Sequence, residues 1–299
     1  MGVDALPRGV LAAVPTFFRE DESLDLPPLR SHLSRLAEAG VRGVLVCGST
    51  GEFPVLSVDE RMAVADFVVS QAAALGISVL VHAGAASTRE SVQLARHAVS
   101  IGAHGVAAIT PYYLPVDGAA MAVHLRRIKE AIGDVSLLAY SFPARAGTEY
   151  PLEVLSTLAG DGVLSGVKES GGDLQRLLDV RARCGPSFRV YAGAVELLPA
   201  AVARGMDGGI LALANAAPAE LVRAYDLADT GELDAAEAVI AGLAGVREAA
   251  SLGLMPAGLK AVLAALHGLP AASRTPRLPL TPAELARLTE LLAGVAAAG

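Results

Sequence analysis

Lys168 closes a short apolar run, Gly162-Val163-Leu164-Ser165-Gly166-Val167, and precedes a glycine-rich turn, Ser170-Gly171-Gly172. Such a run reads as a buried strand, which puts the lysine at or near its carboxyl end. A lysine in apolar surroundings loses solvation of its charged form, so its pKa falls. The neutral amine can attack a ketone and form a Schiff base. The plainer alternative is a strand cap or an ion pair with Glu169, since structural pairs are common. Ser49 and Thr50, flanked by Gly48 and Gly51, offer hydroxyls and backbone N–H groups for a carboxylate-sized anion, although such a turn can be only a turn. The Tyr140 phenol could move protons or be a core tyrosine. Arg145 could clamp a second carboxylate or tie down a loop. Glu52 is expected to hold its glycine turn through N–H contacts. Tyr112 and Tyr113 fit as packing aromatics, and His82, His97, His104 and His124 are scattered and read as structural. Gly171-Gly172-Asp173 is taken as a turn with Asp173 near a helix N-terminus. No His, Cys or carboxylate spacing suggests a metal, and no cofactor is expected.

The elements that must position these residues alternate. Apolar runs at 10–16, 43–47, 77–82, 105–110, 135–141, 162–168, 188–192 and 208–213 predict strands. Helical patterns follow them near 25–40, 57–69, 88–101, 118–132, 152–159, 174–183, 195–203 and 218–228. Ser57 and Glu60 form a capping box, and Ser87 opens the third helix. Eight strand–helix units spaced for right-handed crossovers predict an α/β fold, a (β/α)8 TIM barrel. An open doubly wound sheet competes, but its glycine fingerprint is missing after the first strand. From about 231 the pattern is helical only, with helices expected over 233–252, 257–266 and 282–297. The expected organisation is therefore a barrel over 1–230 and a three-helix extension over 231–299. In such a barrel the chemistry sits where strands end. That gathers Ser49-Thr50, Thr110-Pro111-Tyr112-Tyr113, Tyr140 to Arg145, Lys168 and Gly193 at one mouth.

The totals restrict the partners. The 299 residues are 53% hydrophobic and 18% charged, with a net charge of −7. A large core is easily filled, and the absence of a basic block argues against nucleic acid and anionic membrane. Cys47 and Cys184 make neither a metal spacing nor a disulfide framework, which suits a reducing cytoplasm. Asp4 and the run Arg19-Glu20-Asp21-Glu22 fit neither a signal peptide nor a span.

The combination of Gly48-Ser-Thr-Gly-Glu52, Thr110-Pro-Tyr-Tyr113, Tyr140-Ser-Phe-Pro-Ala-Arg145 and Gly166-Val-Lys-Glu-Ser170 resembles the dihydrodipicolinate synthase / N-acetylneuraminate lyase family of class I aldolases over nearly the whole length. The resemblance implies Lys168 as the Schiff-base residue for pyruvate or another 2-oxo acid. It also implies Tyr140 as proton relay with Ser49 as its partner, and Tyr113 reaching a neighbouring subunit's site in a homotetramer. Ser49 and Thr50 would bind the carboxylate near the Ile210 backbone, with Ser170 within reach of the substrate.

Within the family, Gly51-Glu-Phe-Pro54, Lys168-Glu-Ser-Gly-Gly-Asp173, Ala212-Leu-Ala-Asn215 and Pro256-Ala-Gly-Leu-Lys260 are most similar to the 4-hydroxy-2-oxoglutarate aldolase branch. Thr50 and Arg145 depart from it. Val195 and Ala212 stand where sialic acid lyases carry polar groups. Val58, Arg61 and Ala86 stand where lysine-regulated synthases carry histidines and asparagine. The expected activity is cleavage of a 4-hydroxy-2-oxo acid to pyruvate and an aldehyde. The alternatives are 4-hydroxy-tetrahydrodipicolinate synthesis, a 2-keto-3-deoxy sugar-acid aldolase or dehydratase, and a barrel that binds a 2-oxo acid without turnover.

Overall fold

The computed structural model describes residues 6–296; Asp4 and the end of the expected last helix, 297–299, lie outside them. Eight parallel strands pair in sequence order and close on themselves: β1 (Gly9–Ala13), β2 (Gly43–Val46), β3 (Ser78–His82), β4 (Gly105–Ile109), β5 (Ser136–Ser141), β6 (Gly166–Glu169), β7 (Arg189–Ala192) and β8 (Gly208–Leu211). This is the expected TIM barrel. β1 stops earlier than the sequence pattern, before Val14-Pro15-Thr16, where proline has no N–H to give a ladder.

Helices follow the strands: α1 (Pro28–Glu38), α2 (Val58–Ala72), α3 (Thr88–Ser100), α4 (Gly118–Ile132), α5 (Pro143–Ala146), α6 (Leu152–Gly160), α7 (Leu174–Cys184), α8 (Leu198–Val202) and α9 (Pro218–Asp229). Their starts are written in short polar side chains. Ser57 and Glu60 complete the capping box of α2, and Ser87, Asp117 and Asp173 cap α3, α4 and α7. The helix expected over 195–203 is a 3-10 turn, Val195–Leu197, leading into the short α8. Pro199 in the first turn of α8 lacks the N–H that would continue one helix through it.

Four helices follow: α10 (Leu233–Gly242), α11 (Ala244–Ala250), α12 (Ala257–His267) and α13 (Pro282–Ala296). The single helix expected over 233–252 is thus two, broken at Leu243 just after Gly242, a poor helix former. α10 packs on α9 and α8, beside the barrel's outer ring, while α11 packs against α12 and α13.

Strand alternation divides the core. Leu11, Leu45, Leu80, Leu138, Tyr191 and Ile210 point into the barrel and form an inner cluster with no exposure. Their neighbours Val10, Val44, Val79, Ala139, Val190 and Leu211 point outward beneath the helices. Both faces are buried, so the strands read as continuous apolar runs. The same alternation sends Lys168 inward between outward-facing Val167 and Glu169.

Candidate active site

Lys168 and Tyr140 are register partners on β6 and β5, and Ile109 of β4 lies beside Tyr140. The lysine is 5% exposed, and its Nζ sits 4.3 Å from the centre of the Tyr140 ring. Burial lowers the Lys168 pKa to about 7, because the cation has lost its water. Burial raises the Tyr140 phenol to about 12, while Ser49 and Ser170 pull in the opposite direction. At neutral pH the pair therefore combines a substantially neutral amine with a protonated phenol.

Ser49 reaches Tyr140 from the loop after β2, with its Oγ 3.0 Å from the phenol oxygen. The loop is sharply folded. Cys47 and Glu52 both have left-handed φ angles, 55° and 57°, a costly conformation for residues with a Cβ. Contacts from outside the loop hold it there. The Thr16 hydroxyl donates to the Gly51 carbonyl at 2.7 Å. Lys260 of α12 donates to Glu52 at 2.5 Å, with both side chains fully buried. Glu52 is thus anchored by a lysine from the C-terminal helices rather than by N–H groups of its own turn. No local pattern could reveal a partner 208 residues away.

Beneath Tyr140 lies His82. Its Nδ1 is 2.9 Å from the Cys47 carbonyl, and its Nε2 is 3.2 Å from the Ile109 N–H. Both contacts are hydrogen bonds only if Nδ1 carries the proton and Nε2 accepts, the neutral tautomer. Burial and the Arg61 guanidinium hold the His82 pKa well below its ordinary value. The ring packs edge-on against Tyr140 at 5.7 Å and Phe53 at 4.6 Å. The histidine is structural, but it props the candidate proton relay. His97 faces Asp66, and His104 accepts from the Val79 N–H.

Ser170 follows the lysine strand and donates its N–H to the Ser141 carbonyl at 2.8 Å. Gly193, after β7, lies against it. A Cβ on Gly193 would fall 1.9 Å from Ser170 Oγ, so only glycine admits that serine hydroxyl. Glu169 turns away from the lumen. Its Oε1 accepts from the Gly171 N–H at 2.9 Å, and Arg176 stands 3.6 Å from Oε2. It is not the partner of Lys168.

A cavity of about 300 Å³ opens beside Ser49, walled by Phe53, Ile109 and Tyr112 and carrying Arg145 and Arg277. Arg145 lies on α5, the short helix that the sequence reading did not anticipate. Met255 lines both this cavity and a second of about 200 Å³ that includes Gly193, Val195 and Ala212. The structure therefore brings together Lys168, Tyr140, Ser49 and Ser170, with Thr50 buried in the adjoining turn. Arg145 and Gly193 lie on the flanks. The Ile210 side chain belongs to the inner barrel cluster. Tyr113 stands apart: it is 92% exposed, with φ 75°, next to an exposed Leu114. Met255, Arg277 and Lys260 enter from the C-terminal part. Of these, Met255 and Lys260 stood in a segment that the sequence singled out, without a role for either side chain; Arg277 did not. Among the described residues, no group of three or more His, Cys, Asp or Glu could hold a metal, and no helix is long and apolar enough to cross a membrane.

Known proteins are similar to this chain in sequence and in fold. The model of the dihydrodipicolinate synthetase family matches residues 6–298. An uncharacterized DapA-like lyase of Halobacterium salinarum is 38% identical over 255 residues, covering 85% of this chain and 83% of that protein. The 4-hydroxy-tetrahydrodipicolinate synthase of Methanosarcina barkeri is 32% identical over 275 residues, covering 92% of each. Among solved structures, a prophage protein of the dihydrodipicolinic acid synthase family from E. coli K12, in complex with pyruvate, superposes with a TM-score of 0.91 at 26% identity, covering 97% of this chain and 98% of that one.

Proposed function

The chain belongs to the dihydrodipicolinate synthetase family and is a carbon–carbon lyase of that family; from that premise we propose that it forms a Schiff base between Lys168 and pyruvate or another 2-oxo acid, and cleaves a 4-hydroxy-2-oxo acid such as 4-hydroxy-2-oxoglutarate to pyruvate and an aldehyde. The observation that carries the reading is the buried Lys168 amine, with its pKa lowered to about 7, under a phenol that Ser49 engages at 3.0 Å.

In this reaction the neutral amine adds to the C2 carbonyl and water leaves, producing an imine that, once protonated, accepts an electron pair. Tyr140 gives its phenol proton to the departing C2 hydroxyl as water forms, and the resulting phenolate, held by Ser49, takes the C4 hydroxyl proton as the C3–C4 bond breaks. The aldehyde departs, the enamine takes a proton at C3, and hydrolysis returns pyruvate and the free lysine. Ser49 and Thr50 hold the C1 carboxylate, near the Ile210 backbone. Ser170, seated against Gly193, contacts the substrate beyond C2. A relative crystallised with pyruvate supports the choice of oxo acid. The exposed Tyr113 and Leu114 support an assembly in which a second copy covers that loop and Tyr113 completes the partner's relay, as in a homotetramer.

The test is incubation with pyruvate and borohydride, followed by mass spectrometry. A reduced adduct on Lys168, absent from Lys168→Ala, is expected; a folded protein that traps none sinks the reading. Release of pyruvate from a panel of 4-hydroxy-2-oxo acids then ranks the substrates. A second reading, 4-hydroxy-tetrahydrodipicolinate synthesis, is favoured by relatives of that name and by Arg145 at the cavity. Consumption of pyruvate in condensation with an aldehyde, against its release from a 4-hydroxy-2-oxo acid, discriminates the two.

A further inference from the structure

The cavity beside Ser49 has two guanidinium groups in its wall, Arg145 from α5 and Arg277 from the segment between α12 and α13. Among the described residues, no carboxylate lines it, although the whole chain carries a net charge of −7. Among the described residues, neither arginine is paired with a carboxylate. Two cations facing one cavity repel each other, and an anion placed between them relieves that cost.

Arg277 is held at this wall by its surroundings. Its side chain donates to the Met255 carbonyl, and its backbone N–H donates to the Arg274 carbonyl at 3.1 Å. Arg274 in turn fastens the segment to the barrel. It contacts both Glu60 oxygens at 2.7 Å and donates to the Val55 carbonyl at 3.0 Å, with its guanidinium 4.5 Å from the Phe18 ring centre. Thr275 adds an N–H bond to Glu22 at 3.1 Å, and Lys260 holds the Ala272 carbonyl at 2.9 Å. The segment is a fixed strap. Arg277 keeps donors free for a ligand after its bond to Met255, since a guanidinium carries five.

We propose that Arg277 is a specificity-determining residue, forming with Arg145 a distal anion subsite that selects 2-oxo acids bearing a second, terminal carboxylate. The proposal rests on the Schiff-base reading only for the orientation of the ligand, with its 2-oxo end toward Ser49 and Lys168. The planar fork of each guanidinium matches a carboxylate. A ligand ending in a methyl group would leave the half-buried Arg277 fork without an anion, while the exposed Arg145 keeps its water, and sites built for polar partners discriminate against such analogues.

The test is calorimetric titration of the full chain with 2-oxoglutarate and with 2-oxopentanoate, which has the same carbon count but no terminal carboxylate. The wild-type protein is expected to bind 2-oxoglutarate about tenfold tighter or more, equivalent to about 1.4 kcal/mol. Arg277→Leu is expected to collapse that ratio toward one. Arg277→Lys should restore part of it, because the charge returns without the fork. Thermal melts on the same samples verify folding, and Arg277→Gln replaces the leucine variant if that chain does not fold. Equal wild-type affinities, or a ratio unmoved by Arg277→Leu, overturn the proposal. Pyruvate–borohydride trapping separates the two claims. No adduct with the ratio intact sinks the aldolase reading and leaves the subsite standing; an adduct with a ratio of one does the reverse.

Discussion

The Lys260 ammonium donates to the Glu52 carboxylate at 2.5 Å, and both side chains are fully buried. The pair joins α12 to the folded loop that carries Ser49 and Thr50. Lys260 also holds the Ala272 carbonyl and lies 4.4 Å from the Phe18 ring centre, yet burial outweighs these partners and lowers its pKa. Removing one partner strands the other charge in the core, which costs about 3–5 kcal/mol. Lys260→Met is therefore expected to lower stability by about that amount. The double variant Lys260→Met, Glu52→Gln should recover part of it, because no charge is left unpaired. Denaturant unfolding of the three chains checks this. Both variants should also weaken binding of 2-oxo acids, since the loop loses the anchor for its left-handed Glu52.

The contrast between Lys168 and Lys260 marks how far the sequence could be read. Lys168 was legible because a strand-length apolar run and a glycine turn are local signals, and strand-end placement in a barrel turns order along the chain into proximity. Eight such units made the barrel legible too, with strand ends within a few residues. Lys260 lies on a helix whose apolar pattern says only that it packs, and its partner is remote in the chain. The same limit hid Arg277 and the place of Met255 at the mouth. Residues from the C-terminal helices and strap reach the mouth through tertiary packing, and no periodicity records it. Breaks inside helices were also hard to read: α10 ends at Gly242 inside an otherwise apolar pattern, and a single glycine lowers helix stability without by itself dictating a stop.

Tyr140 and Ser49 are expected to act as one unit. Tyr140→Phe keeps the ring beside Lys168 but removes the hydroxyl, and the loss of a positioned acid–base group costs about 10²–10⁴-fold in kcat. Ser49→Ala should cost less, since the phenol remains. The double variant should fall short of the product of the two losses, because each single change already breaks the same relay. Steady-state pyruvate release, with borohydride trapping on each variant, measures this. A full multiplicative loss would show that the two hydroxyls work separately.

The lowered Lys168 pKa sets a pH profile. Only the neutral amine attacks, so enamine formation from pyruvate should rise about tenfold per pH unit below 7 and level off above it. Exchange of the pyruvate methyl protons in deuterated buffer, followed by NMR, reports this step. Stability moves the same way. Between pH 7 and the ordinary lysine value near 10.5, the unfolded chain holds a proton on this amine that the folded chain has released. Unfolding free energy from this group therefore rises with pH across that window, and the penalty for burying the cation is felt in full below it. Lys168→Met should flatten this part of the stability profile. A profile for exchange centred near pH 10 would show that the amine remains a cation in the fold.

Gly193 and Ser170 give the sharpest steric test. A methyl at position 193 would meet Ser170 Oγ at 1.9 Å, Ser170 Cβ at 2.8 Å and the Glu169 carbonyl at 3.0 Å. Serine can rotate its hydroxyl away, but the carbonyl belongs to β6, one residue beyond Lys168, and cannot yield without moving the lysine strand. Gly193→Ala is expected to destabilise the chain by about 1–3 kcal/mol, the usual cost of overpacking. It should also raise the KM for 2-oxo acids through displacement of Ser170. Adding Ser170→Gly to Gly193→Ala removes two of the three close contacts and should recover much of the stability. The KM should stay high, since the serine hydroxyl is gone. A double-mutant cycle on melting and KM separates these effects. If Ser170→Gly alone left KM unchanged, the glycine would serve only the packing of β6 against β7.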